Sequence, residues 1–154
     1  MGRNIIIFGV ILIVLIGIAY LSFSNIQSLN GRKTVDLKGN KIQLEVSDSE
    51  TEHQKGLSSR DNLAKDRGML FTFAKPDLYS FWMKEMRFPI DIIFINNDKI
   101  VTIHHNVPAF MDTNKTPNLA IYAPKSPADK VIEINAGLAK EYEIKEGDRI
   151  KINP

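Results

Sequence analysis

The stretch Phe81-Trp82-Met83-Lys84-Glu85-Met86-Arg87-Phe88-Pro89-Ile90-Asp91-Ile92-Ile93-Phe94-Ile95 decides how this chain is read. It predicts two short strands, Phe81 to Lys84 and Pro89 to Ile95, joined by a turn. Pro89 suits the first position of a strand, where a missing N–H costs the ladder least. Side chains alternate across a strand, so Ile90, Ile92 and Phe94 share one face while Asp91, Ile93 and Ile95 share the other. An ionised carboxylate among isoleucines is expensive unless something pairs with it. Asp91 is therefore the first residue that asks for a partner.

Outward from this stretch the chain reads as more strands. Asn96-Asn97-Asp98 is a turn into a strand over 99–107, which makes 90–107 a hairpin. Residues 108–129 hold four prolines and read as a long loop, and loops of that length are often functional. Lys130 to Ile134 is a strand, Asn135 caps a short helix over 136–142, and Arg149 to Ile152 closes the chain. Upstream, Gly68 to Phe73 is a buried strand broken by Ala74-Lys75-Pro76-Asp77. Ser49 and Glu52 fit a capping box for a helix ending near Gly56-Leu57. Residues 33–38 and 42–46 alternate on either side of Gly39-Asn40, a second hairpin. The expected fold is mainly β with two short helices (α+β), a small rolled sheet or barrel.

The first residues are different. Ile5 to Phe23 is apolar except for Ser22 and carries no charge over nineteen residues. As a helix this run is about 28 Å long, close to the thickness of a bilayer core. It predicts a signal-anchor helix over 1–24, a tether over 25–32 and one β-rich domain over 33–154. A cleaved signal peptide is the rival, but its apolar region is usually shorter and ends at a small-residue site. Arg3 before the helix favours an amino terminus inside and the domain outside the cytoplasm. Arg3 is the one charge before residue 24, so of 20 basic and 18 acidic residues the remainder keeps 19 and 18, a net +1. No basic stripe points to nucleic acid. Cysteine is absent, which excludes disulfides and thiolate metal sites.

Gly56-Leu57 with Arg60, Gly68-Met69-Leu70-Phe71, Phe81-Trp82-Met83-Lys84, Pro89-Ile90-Asp91, Glu133-Ile134-Asn135-Ala136-Gly137 and Gly147-Asp148 occur in a telling order. Over roughly residues 41–152 this chain resembles the uncharacterised family known as domain of unknown function 192. The resemblance implies a small β-rich fold in a secreted or membrane-tethered setting, and brings no reaction. Glu85-Met86 stands where a small polar pair such as Asn-Thr often follows the Trp-Met-Lys of the family, which makes this loop more charged.

Five residues border the expected cleft: Arg60, Trp82, Lys84, Asp91 and Glu133. Asp91 is a base, a metal ligand or a ligand anchor, or else a carboxylate paired with Arg60, Lys84 or Arg87. Strand alternation puts Glu133 on the face of Val131. There it is a solvated or lysine-paired residue, or the partner of Asp91 in an acid–base pair. Arg60 is an anion clamp or a bridge to Asp91. Phe81, Met83 and Met69 are core or pocket lining, and Trp82 is a half-exposed rim residue. His104 and His105 are adjacent in a strand and face opposite ways, which argues against a shared metal; no metal or cofactor is expected. Asn114-Lys115-Thr116 matches a glycosylation sequon. No phosphate loop, nucleophile elbow or zinc-protease motif is present.

These residues point first to a membrane-anchored extracytoplasmic domain, attached through residues 5–23, that binds a small ligand or a partner protein near Trp82 and Asp91. The alternative is a small hydrolase or lyase acting on cell-envelope material, with Asp91 and Glu133 as base and acid and Arg60 as charge stabiliser. A third reading is a structural partner of another membrane protein, marked by an exposed apolar patch beside the 108–129 loop.

Overall fold

The structure, a computed structural model, describes residues 14–18, 32–110 and 120–153. The chain divides into two compact units, Met1–Arg32 and Lys33–Pro154. In the first, residues 14–18 are helical and exposed. Among the described residues no helix is long and apolar enough to cross a membrane. The rest of the anchor expected over 5–23, nearly all of the tether and the sequon at Asn114 lie outside the described residues.

The second unit runs β1 (Arg32–Leu37), β2 (Asn40–Ser47), α1 (Glu50–Lys55), β3 (Arg67–Asp77), β4 (Phe81–Trp82), β5 (Ile90–Asn96), β6 (Lys99–Val107), β7 (Ile121–Tyr122), β8 (Ala128–Asn135), α2 (Leu138–Glu141) and β9 (Ile152–Asn153). Seven strands form one sheet in the order β6-β5-β8-β3-β2-β1-β9, and β4 pairs with β7 in a separate ribbon. The large sheet curls as a half-barrel and does not close. Its edge strand β6 meets the segment before β9 at the bridge of Lys99 with Arg149, flanked by backbone hydrogen bonds from Ile100 N–H to Asp148 and from Gly147 N–H to Ile100. A closed barrel is thereby corrected to an open, mainly β sheet with two short helices.

Both faces of this sheet are covered. On one, Val35, Leu44, Leu70, Ile93, Ile132 and Ile134 pack with Leu138 and Ala139 of α2. On the other, Met69, Phe71, Ile92, Phe94 and Val131 pack with residues such as Leu57 and Met86 from the loops. Ile90 to Ile95 is buried at every position, so β5 is covered on both faces and, Asp91 apart, is apolar on both. Gly68 is required by close packing: a Cβ there would stand 2.7 Å from the Glu133 carbonyl oxygen and 2.9 Å from Leu44 Cδ2.

Several local readings shift. β4 stops at Trp82 and pairs with Ile121–Tyr122, not with the strand that follows it. Glu85, at φ 58°, turns the chain between them. β3 runs on to Asp77, past the expected break at Lys75-Pro76, with a register irregularity between Thr72 and Asp77 absorbing the proline. The capping box of α1 forms in both halves, Ser49 side chain to Glu52 N–H and Glu52 side chain to Ser49 N–H. Asn135 does not cap α2. It ends β8, and its Nδ2 donates to the carbonyls of Leu63 and Ala64 at 2.9 and 3.1 Å.

Candidate functional site

The register of β5 on β8 settles where the two carboxylates point. Asp91 lies opposite Ile134 and Ile92 opposite Glu133. Opposed residues share a face, so Asp91 and Glu133 project from opposite faces of the sheet. They form no acid–base pair, which removes the constellation on which the hydrolase alternative stood.

Asp91 is fully buried on the α2 side. Its Oδ1 accepts from the Asn106 N–H at 2.7 Å and its Oδ2 from the Ala139 N–H at 2.8 Å. Gly137, the N-cap of α2, sits at φ 86° and has no side chain to cap with. Asp91 therefore caps α2 from a distant strand, satisfying an N–H that the helix start leaves open. None of the expected partners reaches it. Arg60 grips Glu45 through both guanidinium nitrogens at 2.8 Å each, and this hydrogen-bonded carboxylate holds the arginine above its usual range. Arg87 pairs with Asp61, and Lys84 stands 3.9 Å from Glu85.

Glu133 is neither solvated nor paired with lysine. It is 5% exposed and has no hydrogen-bond or ion-pair partner among the described residues. Burial alone pushes its carboxyl up to about 8. Its row across the sheet runs Glu45, Met69, Glu133, Ile92, His104 on one face. The Arg60–Glu45 pair therefore lies two strands away, roughly 10 Å by strand spacing, with Met69 between.

Glu133 is one of the residues that line a pocket of about 120 Å³. Phe71, Phe73, Tyr79, Phe81 and Trp82 line it, together with His53 and Lys55 from α1. The aromatic side chains brace each other. Phe81 meets Phe71 edge-on at 5.0 Å, Phe73 stacks on Tyr79 at 3.7 Å, and His53 tilts against Phe73 at 4.7 Å. His53 Nε2 lies 3.0 Å from the Ser47 carbonyl, which fixes the ring. The rim is held by backbone contacts from the turn after α1: Ser58 Oγ donates to the Lys84 carbonyl at 3.0 Å and Ser59 N–H to that of Glu85 at 3.2 Å. Trp82 is 53% exposed at that rim. It also borders an adjoining groove of about 480 Å³ that contains Lys84 and Glu85 and shares Gln54, Lys55 and Ser58 with the pocket.

Of the five expected cleft residues, Trp82 and Glu133 meet at this pocket and Lys84 lines the groove beside it. Arg60 is engaged with Glu45, and Asp91 is on the other side of the sheet. Phe71, Phe73, Tyr79 and Lys55 were missed as lining. The spacing of Phe71 and Phe73 on a strand, sharing the face of Glu45 and Ser47, was the available signal. Among the described residues no three histidines or carboxylates come together as a metal site. His104 Nε2 instead lies 2.9 Å from the Ala123 carbonyl, beside Tyr122, while His105 is exposed.

With the geometry in place, the relationships of the chain can be stated. Residues 33–152 match the DUF192 family, described as uncharacterised ACR, and the chain belongs to that family. No curated protein matches it. Among solved structures it is similar to a protein of unknown function from Novosphingobium aromaticivorans, with 31% identity, 78% of this chain and 83% of that chain covered, and a TM-score of 0.68. It is also similar to a candidate transcription regulator from Sinorhizobium meliloti, with 29% identity, coverage of 78% and 91%, and a TM-score of 0.68.

Proposed function

We propose that this protein is a membrane-tethered extracytoplasmic binding domain, held by residues 5–23, whose ligand enters the pocket under Trp82 and meets Glu133 at its floor. One observation carries the reading: Glu133, a carboxyl that is 5% exposed and has no hydrogen-bond or ion-pair partner among the described residues, lines an aromatic pocket. Burial raises this carboxyl to about 8, a desolvation cost to its ionised form that a ligand of opposite charge would relieve. An apolar floor with one convergent polar group is also common ligand-site chemistry. Asp91, engaged by two backbone N–H groups, has a structural role in this reading, and Arg60 serves the Glu45 pair. The apolar run over residues 5–23 and Arg3 before it support the tether and its orientation.

The test is a thermal-shift screen of the full-length protein in detergent against small amines, organic acids, sugars and nucleotides. A ligand at about 100 times its dissociation constant adds about 2.7 kcal/mol of stability. The reading requires a hit that is lost in Glu133→Gln and weakened in Trp82→Ala, both still folded. Hits that ignore both substitutions would place binding elsewhere.

A second reading, docking of a membrane-protein partner, is favoured by the exposure of Leu78, Trp82 and Ile121, with Trp82 and Ile121 paired across β4 and β7. A photo-crosslinker at Ile121 that captures one membrane protein, with no ligand found in the screen, would favour it.

A further inference from the structure

We propose that the pocket ligand is a small zwitterion, its ammonium group seated among the aromatic rings against Glu133 and its anionic group held at the rim by Lys55. The inference rests on the binding reading above and names its ligand class.

Three features select that chemistry. The first is the floor. Glu133 is a buried carboxyl with no ion-pair partner among the described residues, and the group that complements it best is a cation, because a partner of opposite charge restores the ionised form that burial disfavours. The second is the wall. Trp82, Phe81, Phe71, Phe73 and Tyr79 surround the same space, and aromatic faces with a carboxylate are the chemistry that recognises organic ammonium groups. The third is size. About 120 Å³ is near the roughly 150 Å³ cavity that accepts benzene, and well under the roughly 300 Å³ of a drug-sized site. Only a compact head, such as a methylated ammonium, enters.

The rim decides the other end. Lys55 lines both the pocket and the adjoining groove and has no ion pair among the described residues. Lys84 lines the groove, and among the described residues its ammonium pairs only with Glu85, at 3.9 Å. A bare cation would pass these lysines at a cost, whereas a zwitterion leaves its anionic group beside them. Trp82, standing between pocket and groove, covers the link between the two charged ends.

Binding of the ammonium requires Glu133 ionised, so affinity depends on pH. The titratable groups around Glu133 are His53 and Lys55 from α1 and Tyr79 before β4. In its row across the sheet stand His104 and the Glu45–Arg60 pair, each two strands away. With the Glu133 carboxyl pushed up to about 8, the ionised fraction, and hence affinity, rises about 50-fold from pH 6 to pH 8. One proton leaves Glu133 for the buffer for each ligand bound near pH 6.5.

The experiment is calorimetric titration of the full-length protein in a maltoside detergent, which has no ammonium group. The probes are glycine betaine, phosphocholine, tetramethylammonium and 3,3-dimethylbutanoate, the last matching glycine betaine in shape but lacking the positive charge. The expected result is binding of a zwitterion that tightens about 50-fold between pH 6 and 8, releases a proton and fails for 3,3-dimethylbutanoate. Glu133→Gln removes the pH dependence and most of the affinity. Lys55→Gln weakens the zwitterion and does not weaken tetramethylammonium, which it relieves of one like charge. Should Glu133→Gln not fold, the pH profile of the unaltered protein and the Lys55→Gln comparison still decide. Phosphatidylcholine vesicles that compete with phosphocholine identify a lipid head group as the source, and vesicles that do not compete identify a free solute; both support the proposal. Equal binding of 3,3-dimethylbutanoate, or affinity that falls as pH rises, overturns the ligand class and leaves the pocket intact as a site. The same holds if the screen yields a Glu133-dependent ligand of another class while none of these probes binds. No Glu133-dependent ligand of any kind removes the binding reading itself.

Discussion

The Asp91 carboxylate and the Ala139 backbone N–H are joined by a 2.8 Å hydrogen bond across 48 residues of chain, and it fixes the start of α2 on β5. The other oxygen of Asp91 holds Asn106, a β6 residue at φ 50°, through its N–H. Replacing Asp91 with asparagine keeps one acceptor and turns an N–H₂ group toward an N–H. Each buried donor left unsatisfied costs about 1–3 kcal/mol, so Asp91→Asn is expected to lose about 2–4 kcal/mol. Urea denaturation of the two proteins checks this. A difference under about 0.5 kcal/mol would show that Asp91 is not the cap that holds α2.

What could be read from sequence was what local chemistry writes. The Ser49–Glu52 capping box is a four-residue signal and forms in full. The stretch from Pro89 to Ile95 reads as a strand and forms one over Ile90–Asn96, and the ordered motifs from Gly56 to Asp148 led to the family. What failed was long-range. The pairing of Phe81–Trp82 with Ile121–Tyr122 joins segments 40 residues apart, and nothing in either segment names the other. The register of β5 on β8, which parts Asp91 from Glu133, is likewise set by whole-strand packing rather than by residues near either carboxylate. The cap of α2 was misplaced on Asn135 because the nearest polar residue was read as the cap. A strand 46 residues upstream supplies it instead, since Gly137 has no side chain. Of the site, Trp82 at a rim was legible. The depth of Glu133 was not, because a glutamate on a strand is ordinarily solvated.

Gly68 offers a test of how tightly β3 and β8 are packed. A methyl there would press on the Glu133 carbonyl oxygen at 2.7 Å and on Ile134 Cγ2 at 3.1 Å, and a backbone oxygen has little room to yield. Overpacking of this kind costs about 1–3 kcal/mol. Gly68→Ala should therefore lower the denaturation midpoint, although alanine is the better strand residue. It should also weaken any ligand of the pocket, because the strand that shifts carries Glu133. An alanine variant as stable as the parent would mean the sheet relaxes at no cost.

Arg60 and Glu45 form a two-pronged pair with side chains 34% and 38% exposed. Solvent screening at that exposure leaves a coupling energy of about 0.5–1 kcal/mol in a double-mutant cycle of Arg60→Ala and Glu45→Ala. Arg60→Lys should recover less than half of it, because an ammonium cannot match both carboxylate oxygens. Full recovery by lysine would show that charge alone, not the fork, holds the turn after α1.

Glu133 makes stability depend on pH in a direction opposite to that of most carboxylates. Its ordinary value is 4.5, and burial raises it to about 8 in the folded protein. Between these values the unfolded chain has lost the proton and the folded one keeps it, so folding is linked to proton retention. Stability from this group is fully present below about pH 4.5 and falls by up to about 1.4 kcal/mol per pH unit until pH passes about 8. Glutamine has the same shape and no proton to lose. The parent and Glu133→Gln should be close in stability near pH 5, with the variant gaining steadily to pH 8 and the gap then levelling. Subtracting the two urea-unfolding profiles cancels every other titrating group. A difference that stays constant from pH 5 to 9 would mean Glu133 titrates as a solvated carboxylate, and the pocket would then lack its buried acid.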